Sequence, residues 1–188
     1  MKRPRRWHAG EIVTAQFSAC RLYRYWLRVT WQQADLSLFD GRVPLGTLAV
    51  IGLNPSTADL QGDDQTMRKC VNWAKREHFT GLLMLNLFPF RATQPVCMKA
   101  APDPYGDQAD PQSLVSLVRA IGASPVVAAW GGSGDYRDRA AAVSLAFSGA
   151  GIPLFCIQKN RDGSPLHPCY AAIPHTMQQF NVVGLHTL

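Results

Sequence analysis

Apolar residues in this chain come in short, unalternated runs separated by longer amphipathic or polar stretches, and that rhythm sets the fold expectation. Runs at 48–51 (Leu-Ala-Val-Ile), 82–85 (Leu-Leu-Met-Leu), 126–129 (Val-Val-Ala-Ala) and 154–157 (Leu-Phe-Cys-Ile) have the length and pattern of strands covered on both faces. Between the first two, Asp63, Asp64, Gln65 and Thr66 read as a helix start. Met67, Val71 and Ala74 then form an apolar stripe that leaves Arg68, Lys69, Lys75 and Arg76 outside it, and the helix should end near His78. Residues 113–121 and the alanine-rich 136–147 predict two more helices. Residues 92–112, rich in proline and aspartate, predict a long irregular loop of the kind that is usually functional or mobile.

Upstream, residues 11–33 interleave Phe17, Leu22, Tyr23, Tyr25, Trp26, Leu27, Val29 and Trp31 with arginines. That composition suits one or two strands forming a hairpin-like edge, closed by turns at Asp40-Gly41 and Val43-Pro44. Buried strands alternating with helices predict an α/β fold, a three-layer α/β/α sandwich with a central, mainly parallel four-stranded sheet plus the N-terminal edge strand or hairpin. No internal repeat is visible, and 188 residues suit a single domain, with residues 1–10 as a basic, mobile N-terminus.

Charge sharpens the picture of partners. Residues 1–28 carry Lys2, Arg3, Arg5, Arg6, Arg21, Arg24 and Arg28 against Glu11 alone, which accounts for the whole net charge of +6. A basic N-terminal section on a neutral body suggests a polyanion such as nucleic acid, and equally a solvated tail beside an arginine-bearing edge strand. No apolar run reaches the length of a bilayer span, and no apolar segment follows the basic residues 1–6, so a cytoplasmic protein, read as a monomer, is expected. Cys20, Cys70, Cys97, Cys156 and Cys169 include no Cys-x-x-Cys pair. Reduced, mostly buried thiols are the default, with no cofactor and no metal.

The candidate chemistry sits where the apolar runs stop. The first passes into Gly52-Leu53-Asn54-Pro55-Ser56, the second into Asn86, the third into Trp130-Gly131, and after the fourth comes a polar loop holding His167-Pro168. In open α/β sheets ligands bind beyond the carboxyl ends of the strands. Asn54 can present an amide there or merely satisfy its own turn.

The order and identity of these motifs resemble the uracil-DNA glycosylase superfamily, whose strands end in Gly-x-(Asp or Asn)-Pro, in an apolar run closed by Asn, in Leu-Trp-Gly and in a His-Pro loop. The resemblance spans residues 48 to 170 and is nearest to the mismatch-specific branch. It implies that Asn54 holds or activates the attacking water, that Asn86 reads the base edge, and that His167 stabilises the departing base, with Gly52, Leu53, Pro55, Ser56, Phe88 and Trp130 around the substrate. The chain also resembles the uncharacterised family known as domain of unknown function 1643, through Gly-Leu-Asn-Pro-Ser-Thr-Ala-Asp from Gly52, Asp63-Asp64, Asn86-Leu87-Phe88, Arg91-Ala92-Thr93 and His167-Pro168.

Chemistry adds its own conditions. Cleaving an N-glycosidic bond leaves a cationic sugar and an anionic base, so the site needs a donor for the base and a positioned water or carboxylate opposite the sugar. An amide orients water but takes no proton, so catalysis through Asn54 should be slower than with Asp, or should borrow Asp59, Asp63 or Asp64. Asn86 offers a donor and an acceptor side by side, as a pyrimidine edge requires. Where the uracil enzymes carry a tyrosine after the Pro, this chain has Ser56, leaving room for a 5-substituted pyrimidine.

The expectation is therefore a monofunctional glycosylase for modified or mismatched pyrimidines in DNA, phage DNA included. A non-catalytic nucleic-acid-binding module and an enzyme of free nucleosides or nucleotides are the alternatives. Arg3, Arg5, Arg6, Ser164, Pro165, Leu166 and Tyr170 are the expected DNA contacts, with Tyr170 or Leu166 as a wedge; Phe88 and Phe90 are candidates for stacking on the base, although as aromatics they read first as core.

Overall fold

A computed structural model describes residues 5–31, 44–171 and 176–181; Arg3 and the turns at Asp40-Gly41 and Val43 lie outside the described residues. Its strands are β1 (Arg5–Arg6), β2 (Glu11–Phe17), β3 (Arg24–Trp31), β4 (Leu45–Gly52), β5 (Gly62–Asp63), β6 (Phe79–Asn86), β7 (Val126–Ala128), β8 (Leu154–Cys156) and β9 (Gln178–Gln179). Its helices are α1 (Gln65–Arg76), α2 (Pro95–Lys99), α3 (Gln112–Ile121) and α4 (Arg139–Gly149). The fold is mixed α/β.

Among the described residues, seven strands form one sheet in the order β2-β3-β6-β4-β7-β8-β9, and β1 pairs separately with β5. β4 runs parallel to β6 on one side and to β7 on the other, and β7 runs parallel to β8. The β2–β3 hairpin joins β6 antiparallel, and β9 closes the far edge antiparallel to β8. The sheet is thus wider than the four strands and hairpin edge expected, because β9 adds a strand too short and polar to show as an apolar run.

The apolar runs are unalternated because both faces are covered. Leu48, Val50, Leu82, Met84 and Val127 face the buried stripe of α1, whereas Ala49, Ile51, Leu83, Leu85, Val126 and Ala128 pack with Leu114, Val115 and Val118 of α3 and Val143, Ala146 and Phe147 of α4. Helix α1 starts where the sequence signals it. Asp64 is its N-cap, with Oδ1 accepting from the Met67 N–H at 2.9 Å, and the chain leaves the helix through His78 at φ 64°.

Three expectations need correction. Helix α4 begins at Arg139 rather than 136, because left-handed Arg137 and Asp138 (φ 53° and 55°) interrupt the helical path. The turns before it wrap Trp130, whose ring occupies the space that a Cβ at Gly134 would need. Residues 92–112 are not structureless: they contain α2 and a 3₁₀ turn over Gly106–Gln108, and buried Arg139 fastens them by donating to the carbonyls of Gln108, Ala109 and Leu87. Residues 5–10 are likewise anchored, Arg5 and Arg6 pairing with Asp63 and Gly62, and Trp7 Nε1 donating to the Asp59 carbonyl at 2.9 Å.

No helix among the described residues is long and apolar enough to cross a membrane. The cysteines are free, but only Cys70 and Cys156 are buried; Cys20 and Cys97 are exposed and Cys169 is half-buried, against the expectation of mostly buried thiols.

Candidate active site

From β4 the chain moves to β6 on one side, and from β7 to β8 on the other, so the carboxyl ends of β4 and β7 border a topological switch point. There lies a cavity of about 490 Å³, a size suited to a small organic ligand. Register explains its floor. Gly52 of β4 sits directly opposite Asn86 of β6, and a Cβ on Gly52 would come within 3.1 Å of Asn86 Oδ1, so glycine is what allows the amide to stand there.

Asn86 is 4% exposed and lines the cavity, and its Nδ2 has no hydrogen-bond partner among the described residues. A buried donor left unmatched costs about 1–3 kcal/mol, so its presence calls for a ligand or ordered water as partner. Asn54, half-buried at the rim, gives its Nδ2 to the carbonyls of Ala92 (2.7 Å) and Pro55 (3.1 Å). What remains for a ligand is its Oδ1, an acceptor able to orient water and unable to take a proton from it.

Asp64 is the carboxylate that lines the cavity. One oxygen caps α1 and the other accepts the Ala58 N–H at 3.3 Å, which fixes the group while leaving lone pairs on both oxygens. Asp59 lies elsewhere: its Oδ1 takes the N–H groups of Gln61 and Gly62 in a tight turn outside the cavity. Asp63 is buried and ion-paired with Arg68, which also approaches Glu11, so it belongs to the support of β1 and α1. Of the three carboxylates considered, geometry brings Asp64 alone to the site.

The His167 loop is pinned to α1. Lys69 Nζ donates to the carbonyls of Pro168, Cys169 and Ala171, and Thr66 Oγ1 meets Cys169 Sγ at 2.9 Å. His167 Nδ1 accepts the Cys169 N–H at 3.2 Å, so a neutral ring carries its proton on Nε2, a donor free for a ligand. Burial pulls the imidazole below its ordinary 6.5, with Lys69 acting in the same direction and Asp64 opposing. The ring therefore works as a neutral donor at pH 7.

Gly52, Leu53, Ser56 and Trp130 all line the cavity, and Tyr170, 82% exposed, stands at its mouth. The other candidates lie outside it. Phe88 is fully buried and packed on Tyr105 and Tyr136, and so cannot stack on a base; Phe90 packs edge-on against Tyr23. Pro55 is buried behind the wall, its carbonyl shared by Asn54 and the Ala92 N–H. Ser164 gives both its N–H and its hydroxyl to Asp162, so the donors a phosphate would take are already committed. Pro165 is buried and Leu166 packs into the core under α1, which leaves Tyr170 as the only one of the two wedge candidates in position. Arg5 and Arg6 are exposed on β1.

Sequence reasoning missed Arg24, Thr66, Thr93, Ser133 and Cys169, all of which line the cavity. Thr66 was within reach, since the first turn of a helix that follows the switch-point strand points back toward the site. Arg24 gave no signal: on an edge hairpin an arginine reads as solvated.

A family model described as Protein of unknown function (DUF1643) matches residues 24–169. The matched span holds every residue named above as lining the cavity except Tyr170. No curated protein and no solved structure matches the chain.

Proposed function

The chain belongs to the DUF1643 family of proteins of unknown function, and we propose that it is a monofunctional DNA glycosylase of the uracil-DNA glycosylase fold. In this reading a three-layer α/β/α sandwich accepts a flipped, modified or mismatched pyrimidine in the switch-point cavity and hydrolyses its bond to the sugar. The observation that carries it is Asn86, whose buried Nδ2 has no partner among the described residues, lining a cavity shared with one fixed carboxylate and one neutral imidazole donor.

Each group takes one task. Asn86 presents Nδ2 and Oδ1 to the edge of the base. Asn54 Oδ1 and Asp64 hold a water opposite the sugar C1′. As the C1′–N1 bond breaks, its electron pair passes to the base, where the His167 Nε2–H donates to the developing anion. The water oxygen bonds to C1′ while its proton passes to Asp64. Tyr170 fills the space left by the extruded nucleotide. Ser56 leaves room beside the ring, so Ser56→Tyr should depress release of 5-substituted pyrimidines more than that of uracil. The protein would act in the cytoplasm, on cellular or phage DNA, without a cofactor.

Incubation with strands carrying single modified or mismatched pyrimidines, followed by alkali, tests the reading: wild type should leave alkali-labile abasic sites and Asn86→Ala should not. Tight binding of the same strands without scission would favour a non-catalytic module, a reading to which Asn54, with both donors committed to main chain, lends some weight.

A further inference from the structure

Because β3 runs antiparallel to β6, it begins at the carboxyl end of the sheet, the end that opens into the cavity. The turn over residues 18–23 that leads into β3 therefore lies at that end too. Main chain fixes it there: the Arg24 N–H reaches the Pro89 carbonyl at 2.9 Å, Tyr23 pairs with Phe90, and the Arg91 N–H reaches the Leu22 carbonyl at 2.9 Å. One residue on, Ala92 lines the cavity and accepts at its carbonyl from Asn54. The turn and Arg91 thus form a lip beside the cavity.

Two arginines meet on this lip, Arg21 exposed on the turn and Arg91 half-buried. Their guanidinium carbons lie over the same ring, that of Phe17, at 4.1 and 5.2 Å from its centroid. That shared ring keeps the two charges within about 10 Å of each other, one Debye length at 0.1 M salt. Arg91 Nη1 also donates to the Arg21 carbonyl at 3.3 Å. Like charges held this close repel, and no carboxylate of the described residues lies within ion-pair distance of either. Asp103 and Asp107, which adjoin Tyr23 and Tyr25, are committed to the N–H groups of Tyr105 and Gly106 and to the Tyr25 hydroxyl. Arg91 also opposes the charge of buried Arg24, so the corner holds three arginines. The face of one ring offsets only part of that repulsion, and the corner is short of an anion.

We propose that Arg21 and Arg91, stacked on Phe17, form a clamp for the phosphodiester backbone of a nucleic-acid strand at the lip of the cavity. The planar fork of each guanidinium suits phosphate oxygens, and the ring holds both forks in place without competing for their donors. Neither arginine lines the cavity itself, so a ligand that occupies the cavity and meets both must reach past its rim, as a strand does through the phosphates that flank one nucleotide. The clamp rests on the base-excision reading only for which nucleotide enters the cavity.

The test reads binding apart from cleavage. A fluorescein-labelled, unmodified single-stranded oligonucleotide is titrated by anisotropy from about 50 to 200 mM salt. The proteins are wild type, Arg21→Gln, Arg91→Gln, the double variant and Arg119→Gln, the last an exposed arginine near the end of α3 that leads to the amino ends of the strands. Each single substitution in the clamp should flatten the slope of log K against log salt by about 1, and the double by about 2. Arg119→Gln should leave slope and affinity as they are. Should Arg91→Gln fail to fold, Arg21→Gln, on an exposed turn, carries the comparison. A wild type that does not bind, slopes unchanged in the clamp variants, or an equal change in Arg119→Gln overturns the proposal. Inorganic phosphate at constant ionic strength should leave the strand bound; displacement by it would reassign the pair to a free phosphate and overturn the strand clamp. Base release is scored separately: flattened slopes with no release from any strand count against excision alone, and release with unchanged slopes counts against the clamp alone.

Discussion

His167 shows how a single side chain is set for its task by what it accepts. Because Nδ1 takes the Cys169 N–H, protonating the ring would turn two donors against each other, and burial already disfavours the charge. The folded pKa lies below the ordinary 6.5, so the unfolded chain binds a proton that the folded one does not. Stability should therefore fall as pH is lowered from 6.5 toward the folded value, and be fully retained above 6.5. Melting curves between pH 7.5 and 5 should show a steeper acid loss for wild type than for His167→Gln, and parallel curves would refute the depressed pKa of the buried ring. Single residues were unevenly legible in the sequence. Asn54, Asn86, Trp130 and His167 were found because each ends or follows an apolar run, a position that places a side chain at the carboxyl edge of the sheet. Phe88 shares that position and is core, since only packing against Tyr105 and Tyr136 decides which way an aromatic turns.

At the scale of elements, α1 joins helix stability to the cavity through Asp64, which caps the helix and lines the cavity. The two roles separate by substitution. Asp64→Ala removes the cap and should cost about 1 kcal/mol in urea unfolding. Asp64→Asn keeps an oxygen for the Met67 N–H and should cost less, yet base release should be lost in both. Activity in Asp64→Asn near that of wild type would show that the carboxylate is only a cap. The start of α1 was legible because capping residues and an apolar stripe of helical spacing occur together. The start of α4 was not, because the turns that wrap Trp130 between residues 131 and 138 are alanine-poor but otherwise carry no periodic signal. β5 and β9 escaped notice because two-residue strands of polar residues depend on what they pair with.

For the whole molecule, the switch point follows from strand order, and strand order is a long-range property that no local pattern encodes. Apolar runs identified the central strands, but the choice of β6 and β7 as the neighbours of β4 came only with the structure. The charge distribution acts at this scale too. Arg5 and Arg6 are held on β1 beside β5, on the segment that leads into the N-cap of α1. If they meet phosphates, the double variant Arg5→Ala/Arg6→Ala should reduce the slope of log K against log salt by about 1–2 and weaken all DNA sequences alike. A change confined to one base would argue against it. The central claim, that the cavity floored by Asn86 excises a base, is met most directly by alkali-revealed strand scission after incubation with modified and mismatched pyrimidine substrates. Wild type should cut at the modified position and Asn86→Ala of unchanged melting temperature should not; scission absent in both, or equal in both, would contradict base excision.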